Sequence, residues 1–438
     1  MKISEALQLP DYPDKCPISI ASLGHGGLLT CIEETDREAY LSYRARLTES
    51  GFVLAMENGI NGNLFATYTD RDTLLHIYYA AYDHTVRLFK APLCESGLPP
   101  HFSQPSFLKT HESSITQMIL NYYDRSGSTH TGNYGNCYVM VLADGSLMIY
   151  DGGGMHGSTD GDVERLWALM QELGAKAPDG KIRIAAWFIT HEHQDHIWCA
   201  YKVLDKYASQ LALEAVYCNT VADEVRSYTD SSWRFVEGEE MKALQSKYGN
   251  RVKIIRVHTG QKFWVRNAQI EILFTPEDMY PRHIKSYTDF NDSSVISRIT
   301  VDGINFLMTG DAGRIGSETV CSMYGEALKS DVCQIAHHGY GYTLPQLYEY
   351  ANAGLYMLPT LEGIFRGILN GTSNVLRYGP SVREIIERIV LQVGENNVLR
   401  ADHNNKTFVF STKEIVIRKT NNDQPGYPYG DKNTNPYR

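Results

Sequence analysis

Thr190-His-Glu-His-Gln-Asp-His196 follows the apolar run Ile182-Arg-Ile-Ala-Ala-Trp-Phe-Ile189, and the reading of this stretch decides how the chain is understood. The apolar run is β-prone and too short for an independent helix, so it predicts a buried strand with the polar residues at its end. Four potential metal ligands, His191, His193, Asp195 and His196, fall within six consecutive positions. In extended backbone His191 and His193 point to the same side and can share one ion. As the chain turns into the next helix, Asp195 and His196 become neighbours able to reach a second ion. Imidazole with carboxylate suits Zn²⁺ first, with Mn²⁺ or Fe on the same ligand set. The plain alternative is a polar loop that happens to hold histidines. With 15 His in 438 residues, three in one short run beside an Asp weigh against it.

His-x-His-x-Asp-His after an apolar strand resembles the signature of the metallo-β-lactamase-fold hydrolases, and other landmarks follow in that family's order. Asn136-Cys-Tyr-Val-Met-Val-Leu142, the turn Ala143-Asp-Gly145 and Ser146-Leu-Met-Ile-Tyr-Asp-Gly-Gly-Gly154 are similar to its opening hairpin and Asp-Gly-Gly turn. Asp151 is then the buried carboxylate that braces the metal loop. Ile304-Asn-Phe-Leu-Met-Thr-Gly-Asp-Ala312 is similar to the strand delivering a bridging carboxylate, Asp311. Asp331-Val-Cys-Gln-Ile-Ala-His-His-Gly339 is similar to the strand delivering the last ligand histidine. The doublet His337-His338 before Gly resembles the competence-type branch, related to DNA-uptake hydrolases. Asn291-Asp-Ser-Ser-Val-Ile-Ser-Arg298 and Asn397-Val-Leu-Arg-Ala-Asp402 resemble further segments of that branch, with Asn291 placed beside the substrate. The resemblance implies an α/β fold, an αββα metallo-β-lactamase-like sandwich over residues 113–416.

Two departures bear on the site. Family members commonly supply a third histidine to the first ion from a turn between the hexad and the bridging Asp, whereas Pro276 to Ser294 holds only His283. His258, at the end of Val252-Lys-Ile-Ile-Arg-Val257, reads as a loop residue instead. The first ion still keeps His191, His193, Asp311 and a bridging hydroxide. The second keeps Asp195, His196, Asp311, one member of the doublet and the same hydroxide, so two divalent ions remain accommodated. Strand alternation puts Cys333, Ile335 and His337 on the apolar face, which favours His337 as ligand and leaves His338 lining the substrate cleft. The second departure is Tyr340, where a small Ser is common. Tyr340 and Tyr342 could stack on a substrate or merely pack the loop.

Water shared by two cations loses its proton near neutral pH, and Asp195 can orient the resulting hydroxide and take up its proton. Phosphodiesters, carboxylic esters, lactones, amides and thioesters are all open to such attack. The His-His-Gly branch leans toward a phosphodiester or a phosphorylated small molecule. A carboxylic ester, lactone or thioester hydrolase is the second reading, and a non-catalytic metal-containing binding protein the third.

Composition sets the remaining bounds. The chain is 43% hydrophobic and 21% charged, an ordinary globular balance, and its eight cysteines show no Cys-x-x-Cys pair. No apolar stretch is long enough to span a bilayer, and the start lacks a signal-peptide pattern, so a cytoplasmic protein without a membrane contact is expected. A net charge of −10 with no basic run favours a small-molecule substrate over nucleic acid. The sequence does not specify an oligomeric state.

Residues 1–112 read as a separate small α+β domain. Thr35-Asp-Arg-Glu38 has the form of a capping box opening an amphipathic helix through Tyr40, Tyr43 and Leu47 to Gly51. An antiparallel meander follows, with runs at Phe52 to Met56, Asn63 to Tyr68, Leu74 to Ala80 and Thr85 to Phe89. Ala91 to Gln104 is rich in turn formers and marks the boundary. Residues 417–438 lack apolar periodicity and read as a disordered tail.

Overall fold

The strand before the hexad forms as expected, over Ile182–Phe188, and lies in the middle of a nine-stranded mixed sheet. The computed structural model describes residues 2–118, 135–154, 160–221, 239–248, 252–281, 290–379, 381–401, 406–410 and 414–419. His283, Asp402 and the expected tail beyond residue 419 lie outside them. In the first sheet Ile182–Phe188 runs parallel to Leu147–Tyr150 on one side and Ala215–Cys218 on the other. Beyond Leu147–Tyr150 come Tyr138–Val141, Ser114–Gln117, Lys406–Phe410 and Ile415–Lys419, all antiparallel. The last of these strands crosses residue 416, the expected end of the hydrolase part.

A seven-stranded second sheet faces the first, ordered Lys262–Val265, Ala268–Phe274, Ile296–Val301, Ile304–Met308, Val332–Gln334, Leu355–Leu358 and Val398–Arg400. Between the sheets Tyr138, Met140, Phe188 and Tyr217 pack on Phe263, Ile270, Ile299 and Phe306. Phe188 stacks on Tyr150 at 4.6 Å and on Tyr217 at 4.7 Å, ring centre to ring centre. Rings in offset stacks fill a sheet-on-sheet interior at little conformational cost.

Helices close both outer faces. Asp160–Leu173, Gln194–Lys206 and Glu239–Tyr248 cover the first sheet through Leu166, Ile197, Val203 and Leu244. Arg314–Tyr324, Pro345–Ala351, Glu362–Asn370 and Ser381–Val393 cover the second. The architecture is αββα, as the motif order implied. No helix among the described residues is long and apolar enough to cross a membrane.

The N-terminal residues build a six-stranded antiparallel sheet, ordered Ile20–Ser22, Leu28–Ile32, Thr85–Pro92, Thr73–Ala80, Asn63–Asp70 and Val53–Ile60. Its first two strands are short and flanked by Gly, so no alternation marked them in the sequence. The helix spans Arg37–Glu49, and its cap is Asp36 rather than Thr35: Asp36 accepts from the Ala39 N–H at 2.8 Å. Thr35 instead meets the Tyr12 hydroxyl at 2.9 Å. Tyr40, Tyr43 and Leu47 cover one face of this sheet. The other face, with Phe65, Tyr78 and Phe89, packs on Phe274, Met279, Tyr280 and Phe290 of the sandwich. Thr73–Ala80 is therefore buried on both sides, which explains its nearly continuous apolar run. At the expected boundary the His101 carbonyl accepts from the Trp264 N–H at 2.8 Å.

A buried polar seam joins the two parts. His76 bonds Thr67 Oγ1 at 2.9 Å and the Thr259 carbonyl at 2.8 Å, and its ring stacks on His258 at 5.1 Å. His258 in turn meets Glu277 at 3.0 Å, and Glu277 accepts from Asn219 at 2.9 Å. Burial, together with the neighbouring His258, pushes His76 down to about 3, well below the usual imidazole value. Between that value and about 6.5 the unfolded chain binds a proton that the folded state refuses, so stability falls as pH falls through this window. The expected slope from this one group is up to about 1.4 kcal/mol per pH unit. Urea unfolding at pH 7 and pH 5 should show a smaller loss in His76→Gln than in the unaltered protein. Equal losses would reject His76 as the source.

Candidate metal centre

Where Ile182–Phe188 ends, the chain passes through Thr190 and enters Gln194–Lys206 with His193 at the cap. Ile197, Ala200, Val203 and Leu204 bury one face of this helix, and that seating turns His196 inward. The N-terminal position also places the Asp195 carboxylate at the positive end of the helix dipole. Gly152 lets the helix approach. A Cβ there would stand 2.4 Å from the Ala200 nitrogen, closer than atoms can come. Gly152→Ala should cost roughly 2–3 kcal/mol in urea unfolding, the penalty of overpacking against backbone, and a neutral change would reject this account.

Asp151 braces the loop. Its carboxylate accepts from the Thr190 N–H at 2.8 Å, from the Thr190 hydroxyl at 2.9 Å and from His196 Nδ1 at 2.7 Å. A bond to Nδ1 fixes the ring so that His196 Nε2 faces inward. There Nε2 lies 3.1 Å from Asp311 Oδ2. His338 Nε2 lies 3.1 Å from the same oxygen and 3.3 Å from Asp195 Oδ2. These four side chains each offer a ligand atom, and all four atoms lie within 4.8 Å of one another.

The two imidazole nitrogens are fully buried and make no hydrogen bond, because their contacts with the carboxylates lack the alignment for one. A buried nitrogen without a partner is costly, and a cation is the partner this arrangement suits. Around an ion bound at about 2.0–2.2 Å, tetrahedral ligands stand about 3.3–3.5 Å apart, close to the spacings seen. Without an ion, burial opposes a charge on His196, but Asp311 and Asp151 outweigh it and raise the group well above the usual imidazole range. Burial likewise opposes ionisation of Asp311, yet His196 and His338 hold its carboxyl well below the usual value.

His191 and His193 form a second group beside the first. His191 Nε2 stands 3.0 Å from His193 Nδ1, and the His191 ring centre is 4.0 Å from that of His196. Burial, with His196 and His193 nearby, keeps His191 well below the usual imidazole value, so it is a neutral nitrogen donor. His258 is not part of this group; its ring nitrogens face Glu277 and Ser96.

The histidine doublet reverses the expectation. His338, not His337, meets Asp195 and Asp311, while His337 Nε2 lies 3.3 Å from Asn291 Nδ2 and its ring stacks on Tyr342 at 5.6 Å. Strand alternation fails here because the strand stops at Gln334. The doublet sits in a short turn where His337 and His338 both take left-handed backbone, φ 51° and 53°. Asn291 and Tyr340 lie near the doublet, Asn291 against His337 and Tyr340 with its ring centre 5.7 Å from that of His338.

Several supporting residues carried no signal in the sequence. Gln334 holds the loop before Asp311, accepting from the Thr309 and Gly310 N–H groups at 3.0 and 3.1 Å. Ser294 Oγ accepts from the Asp311 N–H at 3.1 Å, and Asn136 Nδ2 reaches Asp311 Oδ1 at 3.4 Å. An isolated Gln, Ser or Asn has no periodicity to betray such a role.

Residues 130–260 match the family model of the metallo-beta-lactamase superfamily, which takes in the hexad and its brace. That segment is therefore similar to a metallo-beta-lactamase superfamily domain. The chain is also similar to ComE operon protein 3 of Bacillus subtilis (strain 168), 25% identical over 158 residues, which is 36% of this chain and 17% of that protein. The chain thus aligns with only a small part of that relative. Among solved structures it is similar to the metallo-beta-lactamase fold protein YhfI from Bacillus subtilis, at 13% identity and a TM-score of 0.36, covering 66% of this chain and 97% of that one. Unliganded yeast PDE1 gives 11% identity and a TM-score of 0.36, covering 67% of this chain and 98% of the other. Neither structural likeness bears on the reaction.

Proposed function

We propose that this metallo-beta-lactamase-fold protein is a dinuclear metal-dependent hydrolase of a phosphodiester or a phosphorylated small molecule. The observation that carries the reading is the convergence of Asp195, His196, Asp311 and His338 with two buried imidazole nitrogens left without hydrogen bonds. In this reading His191, His193 and Asp311 hold one divalent ion, and Asp195, His196, Asp311 and His338 hold the other. Zn²⁺ suits the donors first, with Mn²⁺ or Fe as alternatives. When bound, such ions supply a hydroxide nucleophile at neutral pH and neutralise charge at the attacked centre.

The chain's own groups do the rest. Asp195, with its side chain 23% exposed, can orient the attacking water and accept its proton. Burial opposes a charge on it, but His196 and His338 outweigh this and hold the carboxyl well below the usual value, so it stands ionised. Asn291 stands beside the ligands, its amide nitrogen 3.3 Å from His337 Nε2, and an amide donor in that place supports a phosphoester over an uncharged ester. Tyr340 completes the substrate contacts. The net charge of −10 supports a small molecule over a long nucleic acid.

The test is hydrolysis of bis(p-nitrophenyl) phosphate by metal-loaded protein, set against p-nitrophenyl acetate. Phosphodiester cleavage should dominate, and Asp195→Ala should lower kcat about 10²- to 10⁴-fold. Undiminished turnover in Asp195→Ala would remove this residue from the mechanism. Ester cleavage alone would reject the substrate class.

A further inference from the structure

Past His338 the chain turns into a cluster of tyrosines that the ligand set does not use. The Tyr340 ring centre lies 5.7 Å from that of His338 and 6.1 Å from that of Tyr378, with the two tyrosine planes inclined by only 15°. Tyr342 stands 6.0 Å from Tyr378 and stacks on His337 at 5.6 Å. The three rings run outward from the ligand imidazole toward solvent, where Tyr342 is 49% exposed.

Packing of the loop explains Tyr340 and Tyr378, which lean on the core of the second sheet. It does not explain Tyr342. This residue keeps a large ring exposed on left-handed backbone, φ 70°, a conformation costly for a non-glycine residue. The loop is also held rigidly. Gly341 fits against Val382, where a Cβ would come within 2.7 Å, and the Thr343 hydroxyl donates to the Ala312 carbonyl at 2.7 Å, next to Asp311. Arg377 lies with its guanidinium 5.0 Å above the Tyr378 ring and donates to the Tyr378 hydroxyl at 3.0 Å. A cation thus stands on the Tyr378 side of a wall whose Tyr340 side adjoins His338.

We propose that Tyr340, Tyr342 and Tyr378 form a stacking wall, and that the substrate carries a planar aromatic ring beside the phosphoryl group, joined to it directly through oxygen or through a sugar. This rests on the hydrolase reading above. A ring laid on an exposed tyrosine gains stacking energy that an aliphatic group does not, and the wall begins one ring away from the ligand group. Arg377 would offset the negative charge of the approaching ligand.

Calorimetric titration of the full-length, metal-loaded protein with four ligands tests this. Adenosine 5′-monophosphate and phenyl phosphate carry a ring; ribose 5-phosphate and methyl phosphate do not. The ring-bearing pair should bind about 5- to 100-fold more tightly than their counterparts, the range expected for stacking one ring. Whichever of the two shows the larger gain tells a nucleobase from a simple aryl group. Tyr342→Ala and Tyr378→Ala should each reduce the gain, and Tyr342→Phe should keep it. Equal binding of all four ligands by the unaltered protein, or no binding of any, overturns the proposal. So does a gain that survives the double alanine variant. Stacking preference without phosphodiester cleavage would instead sink the hydrolase reading and leave the wall standing.

Discussion

His338→Ala loses metal, and His337→Ala does not. In metal-replete preparations analysed by elemental emission, the first variant is expected to fall short of the unaltered protein by about one ion per chain, because His338 Nε2 stands against both Asp195 and Asp311. Removing it leaves the second ion three protein ligands instead of four. Phosphodiester turnover should fall about 10³-fold, the scale for losing a group that stabilises developing charge. His337 is different, with its imidazole engaged by Asn291 at 3.3 Å and by Tyr342 in a stack at 5.6 Å. His337→Ala should keep its metal and act on KM more than on kcat. Depletion in His337→Ala with full loading of His338→Ala would show that the turn is assigned the wrong way round.

Asp311→Ala is expected to have the largest effect of all. One oxygen of this carboxylate sits 3.1 Å from both His196 Nε2 and His338 Nε2, and the other takes Asn136 at 3.4 Å. In the dinuclear reading it is the ligand both ions share, so its loss should empty both positions and abolish turnover. The ion-free protein should suffer as well. Asp311 is buried, and deleting it strips the countercharge from two buried imidazoles at once. Unfolding stability should drop by about 3 kcal/mol, the scale for breaking a buried ion pair. Asp311→Asn keeps the shape, so it should lose metal with a smaller change in stability. Retention of both ions in Asp311→Ala would break the proposed bridge and with it the mechanism.

The hexad was legible because its consequences are local. A strand end followed by a helix start places His191, His193, Asp195 and His196 within a few ångströms of one another whatever the rest of the chain does. The brace was implied by the resemblance of its Asp-Gly-Gly turn to the family's, and in the structure Asp151 takes left-handed backbone there, φ 56°, while Gly152 admits the helix. The N-terminal part was read less fully. Its four longer strands show in the sequence, whereas Ile20–Ser22 and Leu28–Ile32 do not, and its integration with the sandwich depends on Phe65, Tyr78 and Phe89 meeting side chains about 200 residues away. Nothing in periodicity reports such a meeting.

From the sequence alone came the candidate ligand types and their order, which depend on residue chemistry and on contacts between near neighbours, while the αββα layering was implied by the resemblance of the motifs to a known family. The tertiary structure decided which histidine of the doublet faces Asp311, that His258 belongs to the seam with the N-terminal sheet, and that Tyr378 joins Tyr340 and Tyr342 beside the ligands. Those outcomes turn on backbone angles at single residues and on contacts between distant segments. Neither is encoded in any short window of sequence, because the free energy that selects them is gained only when the whole chain has packed.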